Sequence, residues 1–107
     1  MKLRNKVVVG DLLDMFKEVW KERVSGDGKH YSQVNPEREI FFDPQCFAHV
    51  CGKQAYPSLK LDKRNIVLMT PAEHHVFDFR TDMARRDPAF DWVFELREKL
   101  SIEDNTK

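Results

Sequence analysis

Gln45-Cys46-Phe47-Ala48-His49-Val50-Cys51-Gly52 and, further on, Asn65-Ile66-Val67-Leu68-Met69-Thr70-Pro71-Ala72-Glu73-His74 decide the reading of the fold. Residues 45–52 read as a strand that ends at a glycine. Residues 53–64 hold a proline, scattered polar residues and no sustained period. They read as a long self-packed loop anchored by Tyr56, Leu59 and Leu61. Asn65 opens a second strand, apolar without interruption through Met69, as strands buried on both faces are. Thr70-Pro71-Ala72-Glu73 then carries every part of a helix start. Thr70 is the N-cap, Pro71 takes the first helical position, and Glu73 reaches back to complete a capping box. The helix runs to about Arg80.

The flanks add helices. Leu12, Phe16, Val19 and Trp20 recur at helical spacing, with Leu13 and Met15 widening the stripe, so residues 11–24 read as an amphipathic helix capped by Asp11 after Gly10. Residues 25–37 read as a loop, and residues 38–42 as a short strand that Asp43-Pro44 turns. Asp87-Pro88 repeats the cap-then-proline signal and starts a last helix over residues 88–100, with Phe90, Val93, Leu96 and Leu100 as its stripe. The tail from Glu103 is polar and reads as frayed. The class is α+β, one domain over residues 1–107, with a strand–loop–strand–helix core at about 40–80 and a helix on either side.

Bulk properties narrow the function classes. Charged residues make up 34% and hydrophobic residues 41% of the 107, which fits a folded domain and not a disordered chain. No apolar run approaches a membrane span, and Val7-Val8-Val9 is too short for a signal-peptide core, so a cytoplasmic location is expected. Eighteen basic residues balance eighteen acidic ones, so any attraction to phosphate must come from a local patch. Cys46 and Cys51 lack the close pairing of a structural zinc site and read as free, reduced thiols.

His49 lies near the end of the first strand, Asn65 follows sixteen positions later, and His74 nine after that, in the first turn or so of the helix. Asp78 follows His74 by four, which places both side chains on one helical face. A histidine and a carboxylate so spaced can grip one divalent ion. Taken singly, each residue has a plainer reading: a packed histidine, a turn asparagine, a surface i,i+4 pair. Their joint spacing is what points to a site. His75 competes with His74 but points about 100° away around the helix. His30 shows no partner in the sequence and reads as solvated.

Together, residues 46–50 and 56–74 resemble the HNH endonucleases, the ββα-metal or His-Me finger nucleases. They are similar in particular to a small, largely phage-associated branch with an alanine-histidine strand end and a tyrosine-proline loop. The resemblance covers roughly residues 40–80. It implies a ββα-metal core and hydrolysis of phosphodiester bonds in DNA. His49 would be the general base, Asn65 the residue that ties the loop and orients His49, and His74 a metal ligand with Asp78 beside it. The implied cofactor is a divalent metal ion, Mg²⁺ first, with Mn²⁺, Ni²⁺ or Zn²⁺ as alternatives. Many members carry Asp, Glu or His before the general base as first metal ligand; here the position is Ala48. Either Asp78 compensates, or another carboxylate such as Asp43 or Asp62 folds in, or the ion binds weakly or not at all and catalysis has been lost. If Ala48 is the weak point of this site, an aspartate at position 48 would tighten metal binding.

Lys53, Lys60, Lys63 and Arg64 around the loop, and Arg80 after the helix, are the expected nucleic-acid contacts. A solvated charged surface is the plainer account of them, because Asp62, Asp82 and Asp87 lie among them. Two functions follow: a small metal-dependent endonuclease, or a degenerate module of the same fold that holds nucleic acid or a protein without cutting. A chain this short has little room for base readout, so specificity would need a homodimer or a protein partner.

Overall fold

The computed structural model describes residues 2–106, with side chains from residue 10 onward. Among these residues the fold is α+β, with four α-helices and two small antiparallel sheets. Helix α1 spans Lys2–Glu22, β1 His30–Tyr31, β2 Glu39–Ile40, β3 Phe47–His49 and β4 Ile66–Leu68. Helices α2 (Pro71–Phe79), α3 (Thr81–Arg86) and α4 (Asp91–Asn105) complete the chain.

The β3–β4 pair is the centre. Phe47 faces Leu68, Ala48 faces Val67 and His49 faces Ile66. Side chains alternate across a strand, and here the two faces meet different partners. Phe47, Ile66 and Leu68 pack with Met15, Phe16 and Val19 of α1, where Val19 is fully buried. Ala48, Val50, Val67 and Met69 pack with Phe77 of α2, Ala84 of α3 and Val93 of α4. Burial on both faces explains the unbroken apolar run from Ile66 to Met69. Each large apolar side chain so covered contributes about 1.5–3 kcal/mol.

Helix α2 begins as its sequence dictates. Thr70 accepts from the Glu73 amide at 3.1 Å, and Glu73 accepts from the Thr70 amide at 2.8 Å. Glu73 is also gripped by the Ser32 hydroxyl at 2.6 Å, which ties the loop before β2 to the helix start.

Several expectations are corrected. Helix α1 does not start at Asp11 but runs through Gly10, where helical glycine costs about 1 kcal/mol. Leu13 points outward, 40% exposed. The stretch read as a loop at 25–37 contains β1, which pairs with β2 through His30–Ile40 and Tyr31–Glu39. The strand expected over residues 45–52 is only three residues long, because Asp43 caps a 3-10 turn at Pro44–Cys46. Leu61 is exposed, so of the three expected apolar anchors of the long loop only Tyr56 and Leu59 pack, against Cys51 and Leu100. Helix α3 had no expected counterpart, and α4 continues past Leu100 to Asn105, held there by Glu103 with Arg64 and Asp104 with Ser58. His30 is not free: its ring stacks on Trp20 at 3.6 Å and its Nε2 meets the Trp20 carbonyl at 2.7 Å. No described helix is long and apolar enough to cross a membrane.

Candidate active site

Leu12 and Phe16 of α1, Phe47 and His49 of β3, and His74, Phe77 and Asp78 of α2 line one open groove of about 790 Å³. The groove brings His49, His74 and Asp78 to a shared space from two separate elements. Asn65 lies behind it, fully buried.

Asn65 is held by its own chemistry. Its Oδ1 accepts from the Cys51 amide at 2.7 Å, and its Nδ2 donates to the carbonyls of Cys51 at 2.9 Å and Leu59 at 3.2 Å. An amide can do both jobs without titrating. These bonds close the 53–64 loop at both ends. The next carbonyl along, that of Lys60, accepts from His49 Nε2 at 3.0 Å. Asn65 therefore orients His49 through one residue of backbone. Arg23, in the turn that follows α1, braces the same point: its guanidinium donates to the carbonyls of Lys63 and Ile66, on either side of Asn65, and to Gln33.

The carbonyl partner fixes the His49 tautomer. A carbonyl only accepts, so Nε2 carries the proton and Nδ1 of the neutral ring keeps its lone pair. Burial pushes His49 below the ordinary histidine value. The hydrogen bond to Lys60 opposes this, and the charges of Lys53, His74 and Lys60 add to it. The ring is thus kept as a free base near neutral pH.

His74 Nδ1 meets the Gln45 carbonyl at 2.6 Å, and its Nε2 lies 2.9 Å from Asp78 Oδ2. The 3-10 turn at Pro44–Cys46 supplies that carbonyl, so the Asp43-Pro44 signal sets the His74 ring. A histidine nitrogen and a carboxylate oxygen so placed are a donor pair that a divalent ion could take once the direct contact between them opens. Among the described residues no group of three His, Cys, Asp or Glu side chains converges to hold a metal. Asp43 and Asp62 do not join the pair: each caps a 3-10 turn, accepting from Gln45 and Arg64 amides respectively. Ala48 is fully buried among Val50, Val67, Met69 and Phe77.

The expected nucleic-acid contacts divide. Lys53 lines the groove. Lys60 lies beside His49 through its carbonyl and its charge. Lys63 is 2.7 Å from Glu22, and Arg64 is 2.8 Å from Asp62 and 3.0 Å from Glu103, so both are engaged by carboxylates of the chain itself. Arg80 is exposed between α2 and α3 and is not part of the groove lining. His75 is exposed on α2 and tilts against Phe79 at 5.0 Å, away from the His74 contacts. The sequence reading missed Arg97 of α4, which lines the groove with its guanidinium 5.5 Å from the centre of the Phe77 ring. Its signal was present: Val93, Leu96, Arg97 and Leu100 follow the i, i+3, i+4, i+7 pattern, so a cation occupies a place in an apolar stripe.

No protein-family model, no curated protein and no solved structure matches the chain.

Proposed function

We propose that this groove is a phosphodiesterase site of the His-Asn-His type that hydrolyses DNA, on a ββα-metal core formed by β3, β4 and α2. One observation carries the reading. His49, with its Nε2 proton held by Lys60 and its Nδ1 lone pair free, shares a groove with the His74–Asp78 pair. In the proposed reaction His49 Nδ1 takes a proton from a water molecule. The water oxygen forms a bond to phosphorus, the bond from phosphorus to the ester oxygen breaks, and that oxygen leaves as a hydroxyl after taking up a proton. Asn65 keeps the base in place by fixing the loop that holds Lys60. His74 and Asp78 would hold a divalent ion, Mg²⁺ by preference, since Mg²⁺ keeps several waters and needs few protein ligands. When bound, that ion supplies positive charge to the phosphate and to the leaving oxygen.

A second reading is a module of the same fold that binds nucleic acid without cutting. It is favoured by the two-residue ligand set and by the apolar surroundings of Ala48. Plasmid nicking with Mg²⁺, Mn²⁺ or Ni²⁺ separates the two. The enzyme reading expects nicking by the wild type, a loss of about 10²–10⁴-fold in His49→Ala, and a loss in His74→Ala that excess metal partly restores. Absence of nicking with every metal refutes it in favour of the second reading.

A further inference from the structure

The groove contains charge that neither His49 nor the His74–Asp78 pair uses. Lys53 and Arg97 line it, and Asp78, already engaged by His74, is its one lining carboxylate among the described residues. Arg97 is half-buried on α4, with its guanidinium carbon over the face of Phe77. Among the described residues no carboxylate forms an ion pair with it, whereas Lys63 and Arg64 are each held by one or more. A guanidinium carried on a ring face loses little freedom when it binds, and its planar fork matches two oxygens of one phosphate. A half-buried cation that no described carboxylate pairs with is available to an anion from outside, such as a phosphodiester.

We propose that Arg97, assisted by Lys53, forms a phosphate-binding subsite that seats the nucleic-acid backbone in the groove beside His49. This subsite rests on the reading of the groove as a nucleic-acid site, and it makes α4, outside the strand–loop–strand–helix core, part of that site. The chain then carries its phosphate contacts on the groove wall and not along Lys63 and Arg64.

The test is binding, separate from cutting. A short fluorescein-labelled DNA duplex is titrated with protein in the His49→Ala background, and anisotropy is followed from low to moderate salt. Arg97→Met keeps an unbranched apolar stem beside Phe77 but removes the charge. It is expected to weaken binding about tenfold, as loss of a charge-assisted hydrogen bond does, and to reduce the steepness of the log–log salt dependence by about 0.9. Arg97→Lys is expected to fall between the two, while Lys63→Met and Arg64→Met stay within about twofold of the parent. Circular dichroism and thermal melting of each variant confirm that the fold is kept. Unchanged affinity in Arg97→Met, an equal loss in Arg64→Met, or no binding by the parent overturns the subsite. Arg97-dependent binding without nicking by the wild type keeps the subsite and refutes only catalysis. Nicking by the wild type with no effect of Arg97 on affinity refutes only the subsite.

Discussion

Replacing Asn65 with alanine removes three hydrogen bonds at once, those with the Cys51 amide, the Cys51 carbonyl and the Leu59 carbonyl. Asn65 is fully buried, so water does not readily replace it. A hydrogen bond contributes about 0.5–1.5 kcal/mol net, and a buried group left unpaired costs about 1–3 kcal/mol. Some relaxation of the loop is expected, so the sum comes to about 3–5 kcal/mol. That is a large part of the roughly 5–15 kcal/mol that holds a domain together. Urea unfolding followed by the fluorescence of Trp20 and Trp92 should show the midpoint falling by roughly 2 M. Asn65→Asp sharpens the test with almost no change of shape. Its Oδ1 still accepts from the Cys51 amide, but its second oxygen now faces two carbonyls. The ionised form is disfavoured there, so the folded pKa of the new carboxyl lies above its unfolded value of about 3.9. Stability relative to wild type is therefore best below that unfolded value and is lost as pH rises through the folded one. An alanine variant within about 1 kcal/mol of wild type, or an aspartate variant whose deficit does not grow with pH, would refute the claim that this amide closes the loop and sets His49.

His49 gives a stability prediction of the opposite sign. Its folded pKa is depressed by burial, so its contribution is complete above the unfolded value of about 6.5 and is lost as pH falls through the folded value. Urea unfolding of the wild type should weaken on going from pH 8 to pH 5, and His49→Gln should flatten part of that fall; an equally steep fall in the variant counts against the buried neutral ring. Ala48→Asp is expected to lower the melting temperature in the absence of metal, because the carboxylate meets Val50, Val67, Met69 and Phe77. If position 48 nonetheless reaches the ion proposed at His74 and Asp78, added Mn²⁺ will raise the variant's melting temperature more than the wild type's; equal shifts exclude that ligand.

The parts of this molecule that were readable in the sequence are those whose physics is local. Thr70-Pro71-Ala72-Glu73 had one good solution, a capped helix, and the apolar run at 66–69 had one place to go, between two layers. The His74–Asp78 contact follows from helical geometry alone. What was missed depends on chain segments far apart in sequence. Nothing near His30 announces Trp20, and nothing near Asn65 announces that Arg23 will hold the carbonyls on either side of it. The basic residues show the same division most clearly. Lys63 and Arg64 sit where a phosphate contact was expected, but Glu22 and Glu103 arrive from α1 and α4 to engage them. Arg97 sits where core was expected, and the groove reaches it because α4 packs against Phe77. A count of charges along the loop cannot rank these cations, since each one's availability is set by the acid that the fold brings beside it. In a chain with eighteen charges of each sign, Arg97 stands in the apolar stripe of α4, where no described carboxylate pairs with it, and that placement is what the proposed phosphate subsite rests on.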